Sequence, residues 1–193
     1  MRFLLRMALL LSLFVLPAHA AFALEVIDFD SLANRELVTD QFAGQGVIFE
    51  KAQVVRLSGD TPLTSSPNQI CGGYPMCQEN ITITFVDPDN SSIASTTDFV
   101  SIVFSSLSVA GNSIEAYDLN DELLGRIDVP FNLDERIVPM ELDGIHYVVL
   151  HSAFGDAVFD NLIFDAPPPV PEPATGLLLG LGLLGLACSR PSA

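Results

Sequence analysis

The sequence predicts an all-β protein: an antiparallel, jelly-roll-like β-sandwich that follows an N-terminal signal peptide and precedes a short C-terminal hydrophobic helix. Three observations predict this fold class. Apolar and polar residues alternate with a period of two in short runs between residues 24 and 166. Turn-forming residues separate these runs, and no stretch of this region keeps helical spacing. The length of 193 residues fits one domain with appendages at its ends.

Residues 1–23 are predicted to be a signal peptide. Arg2 and Arg6 form a positive flank, residues 7–16 are apolar, and Ala18-His19-Ala20 offers small residues at the cleavage positions. An apolar run of this length is too short to span a bilayer, which argues against a permanent N-terminal anchor.

The region 24–166 is predicted to be the folded ectodomain. Its Phe residues are expected to supply much of the core, and the Asp143-Gly144 pair is read as a turn. Pro139 within a run indicates an edge strand or a bulge. Nine strands are expected, at residues 26–30, 46–57, 81–85, 99–104, 114–117, 123–129, 136–142, 145–150 and 157–164.

Charge excludes several classes of partner. The whole chain carries −16, and residues 24–166, with 23 acidic and 5 basic side chains, carry −18. Nucleic acid and anionic lipid bind clustered Lys and Arg, so neither is an expected partner. Cations and neutral glycans remain compatible with this charge.

Cys71 and Cys77 lie six positions apart in Cys-Gly-Gly-Tyr-Pro-Met-Cys. In an exported protein we expect them to form a disulfide that closes a Gly- and Pro-containing loop. Two free thiols are the alternative. A zinc site is not expected, because no second pair of ligands lies nearby in the sequence.

The C-terminal segment carries a specific motif. Residues 167–173 form a proline-rich linker that ends in Val170-Pro171-Glu172-Pro173, and residues 174–193 contain fifteen uncharged, Leu- and Gly-rich residues followed by a short tail with Arg190. A helix of fifteen residues spans about 22 Å, against a bilayer core of about 30 Å. An ordinary tail anchor is the alternative interpretation.

This segment resembles the PEP-CTERM sorting signal of Gram-negative bacteria, in which a Pro-Glu-Pro motif precedes a short hydrophobic helix and a basic tail. The resemblance implies processing by a membrane-embedded exosortase. The protein would be anchored briefly in the inner membrane and then released to the cell surface or to an extracellular, biofilm-type matrix. The tail departs from the pattern in having a single basic residue, Arg190.

Asp28, Asp30 and Asp160 are the candidate metal ligands. Asp28 and Asp30 are expected on one face of the first strand and Asp160 on the last strand, and these strands often pair in jelly rolls. The Asp28-Phe29-Asp30 opening also resembles carbohydrate-binding jelly rolls, in which a structural calcium bridges the chain ends. The alternative is that Asp28 and Asp30 form a solvated face and that Asp160 caps a turn.

No catalytic residue is assigned. His146 and His151 are the only histidines after the signal peptide and are expected on opposite faces of a strand, and no nucleophile elbow, phosphate loop or zinc signature is present. Together with this absence of catalytic motifs, the resemblance to PEP-CTERM proteins implies a non-enzymatic protein of the cell surface or the exopolysaccharide matrix.

The alternative function is a carbohydrate-binding module that recognises extracellular polysaccharide. Such modules stack sugars on aromatic rings, and this chain has no Trp and three Tyr. Tyr74, in the predicted disulfide loop, is expected to be the most exposed of the three.

Overall fold

The structure, a computed structural model, describes residues 24–56, 63–73, 75–105, 111–130, 135–155 and 157–166. The predicted signal peptide (1–23), the proline-rich linker (167–173) and the C-terminal helix and tail (174–193) lie outside these residues. In the described ranges, no helix has both the length and the apolar character needed to cross a membrane. Residues 22–167 form a compact unit of their own.

The described residues contain thirteen strands and two short 3-10 helices, Ala43–Gln45 and Ala153–Gly155. In chain order the strands are β1 Leu24–Ile27, β2 Leu37–Val38, β3 Val47–Glu50, β4 Ala52–Arg56, β5 Asn68–Gly72, β6 Ile81–Asp87, β7 Asn90–Ala94, β8 Thr97–Ser105, β9 Asn112–Tyr117, β10 Leu123–Val129, β11 Arg136–Ile145, β12 Tyr147–His151 and β13 Val158–Asp165.

The strands form two antiparallel sheets with jelly-roll order. The first sheet runs β11-β8-β13-β5-β4-β2, with β1 also paired to β13, and the second runs β10-β9-β12-β6-β3, with β7 paired to β6. From β5 onwards the chain crosses repeatedly between the sheets, so that β5-β13-β8-β11 in one sheet faces β6-β12-β9-β10 in the other. This is the order of a double Greek key, and it confirms the predicted jelly-roll-like sandwich.

The core lies between the two sheets because alternate residues of each strand point inward. In β6, for example, Ile81, Ile83 and Phe85 are buried while Thr82 and Thr84 between them are partly exposed. Among the described residues, five phenylalanines are fully buried: Phe29, Phe85, Phe104, Phe159 and Phe164. Each contributes roughly 1.5–3 kcal/mol of burial free energy, so aromatic burial is a main source of stability.

Several strand boundaries differ from the prediction. The run 46–57 is split at Lys51, whose φ of 63° breaks the extended backbone between β3 and β4. The predicted turn at Asp143-Gly144 is wrong, because both residues lie within β11, where the pairing with β8 shifts between Glu141 and Ile145. The short strands β2, β5 and β7 were not predicted.

Pro139 confirms its predicted position, since β11 is the edge strand of the first sheet. The predicted placement of Asp28 and Asp30 on the first strand is wrong: β1 ends at Ile27, and both residues lie in the turn that follows. The pairing of the first and last strands is confirmed, with Leu24 opposite Asp165.

Candidate functional site

The Asp160 cluster, formed by Asp28, Asp30, Ser65 and Asp160, lies beside β13. On one side of β13, β1 pairs with residues 162–165 and β5 pairs with Phe159, so Asp160 lies where one neighbour ends and the next begins. The pairing with β8 also shifts after Asp160, and Asn161 has a φ of 47°. This bulge positions a carboxylate in the gap between β1 and β5.

Asp160 is fully buried and is held by hydrogen bonds. Its carboxylate accepts the Ser65 N–H at 2.7 Å, the Ser65 hydroxyl at 3.2 Å and the Asn161 N–H at 2.7 Å. Burial raises the pKa of Asp160 from 3.8 to about 7, and the nearby Asp30 charge acts in the same direction, against the effect of these donors. The group therefore titrates close to neutral pH.

The structure brings the predicted ligands towards one another through Ser65. The Ser65 hydroxyl that contacts Asp160 also lies 3.1 Å from the backbone oxygen of Asp28. The side chains of the other two acids accept hydrogen bonds from other groups: Asp28 Oδ1 accepts the Asp30 N–H at 3.1 Å, and Asp30 Oδ1 accepts the Asn68 N–H at the start of β5 at 3.0 Å.

These contacts are a partial fit to calcium. Carboxylate, carbonyl and hydroxyl oxygens are the ligand types that calcium takes, and they are present here. Within the described residues, however, no three His, Cys, Asp or Glu side chains converge closely enough to hold a metal ion. Calcium binding by Asp28, Asp30 and Asp160 stays a prediction.

A second polar cluster, the Glu115 network, lies on the outer face of the second sheet and was not predicted. The Glu115 carboxylate accepts the Tyr117 hydroxyl at 2.6 Å and Arg126 Nη1 at 2.6 Å, and it lies 3.0 Å from His151 Nε2. The Tyr117 ring stacks on Tyr147 of the neighbouring strand, with centroids 4.7 Å apart and planes 7° apart. These residues occupy outward positions of β9, β10 and β12.

The network fixes the charge of its central carboxylate. The hydrogen bond from Tyr117, with those from His151 and Arg126, lowers the pKa of Glu115 to about 2 despite partial burial. The same bond to Glu115 raises the pKa of Tyr117 to about 12. At neutral pH this face therefore presents a permanent carboxylate, a neutral phenol and two rigid aromatic rings.

The histidines do not form a catalytic pair. His151 contacts Glu115, whereas His146 Nδ1 lies 2.8 Å from the backbone oxygen of Ser95. Each ring is tied to a different partner, so the two do not share a site.

The structure contains the Cys71–Cys77 disulfide, as predicted. It fastens the end of β5 to the loop that follows, and Cys71 is buried against Val55 and Val158. Gly72 is required beside it, because a Cβ there would collide with the backbone oxygen of Glu79. Tyr74, the expected exposed aromatic residue, lies outside the described residues.

A model of one protein family matches the C-terminal end of the chain: the PEP-CTERM protein-sorting motif, at residues 169–190. Residues 169–190 are a PEP-CTERM sorting motif. The match contains Val170, Pro171, Glu172 and Pro173, confirms the resemblance seen in the sequence, and indicates an exported surface protein that is processed as an exosortase substrate. No curated protein matches the chain.

Among solved structures, the ectodomain is similar to the K2 cleaved adhesin domain of Lys-gingipain, with a TM-score of 0.48, 9% identity, and coverage of 75% of this chain and 99% of that chain. It is also similar to a family 29 carbohydrate-binding module, with a TM-score of 0.42, 12% identity, and coverage of 77% and 100%. A third is the C-terminal family 6 carbohydrate-binding module of LamC from Zobellia galactanivorans, with a TM-score of 0.38, 10% identity, and coverage of 74% and 99%. These likenesses are too distant to transfer a function.

Proposed function

We propose that this chain is a non-enzymatic protein of the cell surface or the exopolysaccharide matrix. An exosortase-type enzyme processes it at its C-terminal signal, after a brief period of anchoring in the inner membrane. The observation that carries the proposal is the sorting motif at residues 169–190, which directly follows a β-sandwich with its own core. The motif directs the sorting of the chain, and the sandwich is the domain that is exported.

The disulfide and the net charge of the sandwich support its export from the cytoplasm. The Cys71–Cys77 disulfide is a bond that persists in oxidising compartments. The charge of −18 on residues 24–166 keeps such a domain soluble and separate from other copies of itself.

The absence of catalysis is part of the proposal, and the state of the acidic groups supports it. Glu115, with a pKa of about 2, remains ionised at neutral pH and is engaged by three side chains, so it is a poor proton donor. Asp160 has a pKa near neutrality, but its side chain is fully buried and out of reach of a substrate.

Mass spectrometry of the mature C-terminus tests this proposal. We expect the wild-type chain to end near the Pro-Glu-Pro motif in the envelope or medium, and the Glu172→Ala variant to retain Ala193 in the membrane fraction. Pro168→Ala, one residue before the matched segment, is the control and should be processed normally. A wild-type chain that remains in the cytosol with both ends intact overturns the proposal.

Polysaccharide binding is the second candidate function, and the stacked Tyr117–Tyr147 pair favours it. Rigid rings on a sheet face give sugars an apolar surface at low entropic cost, and the Glu115 carboxylate beside them offers a hydrogen-bond acceptor. A glycan array with the wild type and Tyr147→Ala tests it, with Val149→Ala on the same strand face as the control. Selective binding that only Tyr147→Ala abolishes supports the candidate; equal binding by both variants excludes this face.

A structural calcium at the Asp160 cluster completes the proposal. The ion would join the turn after β1 to the bulge in β13 through the oxygens of Asp28, Asp30 and Asp160. Its predicted effect on thermal stability is given in the Discussion.

A further inference from the structure

The outer face of the second sheet carries a slot beside the stacked tyrosines. Strand register places four side chains in one row across this face: Tyr117 on β9, Tyr147 on β12, Thr84 on β6 and Ile48 on β3. Each alternates with buried neighbours and points away from the core. Because Thr84 is short, Tyr147 and Ile48 face each other across two strand spacings, about 10 Å. We call this gap, with Thr84 as its floor, the tyrosine slot.

The stacking of the two rings leaves one face of Tyr147 on the slot. Tyr117 lies on the neighbouring strand, with ring centroids 4.7 Å apart and planes 7° apart, so it covers the opposite face of Tyr147. The His146 ring packs against Tyr147 at 6.0 Å with planes 82° apart, and it is held in turn by the backbone oxygen of Ser95. Tyr147 is therefore a fixed aromatic wall, which suits the apolar face of a sugar ring.

The phenol hydroxyls beside the slot are directed to carboxylates. Tyr117 donates to Glu115 at 2.6 Å. Tyr147 donates to Asp121 in the hairpin between β9 and β10, and burial, this hydrogen bond and the charges of Asp121 and Asp118 raise the pKa of Tyr147. Each phenol therefore offers a ligand the lone pairs of its oxygen, because its proton is already engaged.

Carboxylates surround the slot. Asp118 and Asp121 lie beside the Tyr147 hydroxyl at one end, and Glu50 projects from the same face of β3 as the slot wall. Glu115, in the adjacent row of the sheet, has a pKa of about 2 and stays ionised at neutral pH. A ligand in the slot therefore lies among negative charges.

The positive charge on this face is compensated. Arg126 is the one Lys or Arg in the described strands β3, β6, β9, β10 and β12. Its guanidinium group is paired with two carboxylates, Glu115 at 2.6 Å and Asp128 at 2.7 Å. The charge of −18 on residues 24–166 adds a long-range attraction for cations. Local and overall charge both favour a ligand that supplies hydrogen-bond donors and positive charge.

We propose that the tyrosine slot binds a hexosamine residue with a free ammonium group in an extracellular polysaccharide. The carbon face of the sugar stacks on Tyr147, and the ammonium group donates to Asp121 at the tip of that ring. An ammonium group near the ring is also attracted to its negative face. This inference rests on the polysaccharide-binding candidate proposed above for the same face, and it names the class of sugar. A lysine-rich peptide would share the ammonium group but lacks the sugar ring.

Isothermal titration of the purified full chain tests the inference with three probes: a tetrasaccharide of glucosamine, its fully N-acetylated form, and tetralysine. The buffer has physiological ionic strength and is slightly acidic, so that the sugar amines are protonated. N-acetylation removes the charge and keeps the sugar rings. We expect the amine form to bind at least about tenfold more tightly than either other probe, because it alone combines the ring with the charge-assisted hydrogen bond.

Three variants locate the binding. Asp121→Asn removes a charge and keeps the backbone, because Asn also adopts the left-handed conformation that Asp121 has, with a φ of 61°. We expect it to weaken binding of the amine form about tenfold and Tyr147→Ala to abolish that binding. Glu141→Gln removes an exposed charge from β11 in the opposite sheet and should leave the affinity unchanged. Thermal melts of each variant verify folding.

Four results would overturn the inference: no binding of the amine form, equal affinity for its N-acetylated form, equal affinity for tetralysine, or equal losses in Asp121→Asn and Glu141→Gln. Equal binding of both tetrasaccharides that Tyr147→Ala abolishes would remove the preference for an amine and leave polysaccharide binding at this face standing. The mature C-terminus is measured separately. A correctly processed chain that binds no probe therefore removes this inference and leaves the proposed surface location in place.

Discussion

The buried Asp160 carboxyl makes the stability of the ectodomain depend on pH in a range where most carboxyl groups are already ionised and no longer titrate. Its pKa is raised from 3.8 to about 7 in the fold, so between these values the folded chain keeps a proton that the unfolded chain has released. Its contribution to stability is full below pH 3.8 and is lost as the pH rises through 7. Between pH 5 and pH 8 the loss is about 2.5 kcal/mol, which corresponds to a fall of about 8 °C in Tm.

Asp160→Asn isolates this contribution, because an amide does not titrate. We expect thermal unfolding of the full chain, followed by circular dichroism in a chelating buffer, to show a Tm that falls by about 8 °C more in the wild type than in the variant between pH 5 and pH 8. All other ionisable groups are common to the two proteins, so the difference between their pH profiles isolates Asp160. Asp89→Asn, an exposed carboxylate in the β6–β7 hairpin, is the control and should follow the wild type. Parallel pH profiles for the wild type and Asp160→Asn would refute the reasoning from burial.

Three further outcomes are expected. Calcium added at pH 8 should raise the Tm of the wild type and leave that of Asp160→Asn unchanged in a thermal melt. Glu115→Gln should lower the free energy of unfolding at pH 7 by about 1–2 kcal/mol in urea, allowing for solvent screening. Because the pKa of Glu115 is lowered to about 2, this difference should shrink as the pH falls from 4.5 towards 2. Gly72→Ala should lose at least about 3 kcal/mol in the same urea assay, because its Cβ meets the backbone oxygen of Glu79. Gly44→Ala, with open space around it, should stay within about 0.5 kcal/mol of the wild type.

A specific result would contradict each of these expectations. Identical melting points with calcium and with chelator remove the predicted metal site. If Glu115→Gln is as stable as the wild type at pH 7, the charge of Glu115 adds nothing to the hydrogen bonds from Tyr117, His151 and Arg126, and the expected loss in the free energy of unfolding is refuted. Equal stability of the two glycine variants would show that the loop after β5 yields easily to an added Cβ.

Alternation explains which strands could be predicted from the sequence. Strand β6 is a clear case, because Ile81, Ile83 and Phe85 face the core and two threonines face outward. Strand β5 was missed because all five of its residues are buried, including Asn68 and Gln69, so no alternation marks it. The Asp143-Gly144 pair predicts a turn, but the structure has a bulge there. Turns and bulges both favour a glycine with positive φ, here 76°, so the sequence does not distinguish them.

The candidate sites, too, could be predicted from the sequence only in part. The pairing of the first and last strands could be predicted from the sequence, and the structure contains it. The backbone oxygen of Asp28, rather than its carboxylate, contacts the Ser65 hydroxyl that also contacts Asp160. Ser65, which connects them, lies 95 positions from Asp160 in a loop with no sequence pattern.

The position of β13 has a mechanical consequence. This strand leads directly to the C-terminal segment, yet it lies inside the first sheet, with β8 on one side and β5 and β1 on the other. To detach β13 from the sheet, tension on the C-terminal segment must break hydrogen bonds on both sides of the strand. An edge strand such as β11 is held by hydrogen bonds on one side only, so detaching β13 breaks more hydrogen bonds than detaching an edge strand of the same length.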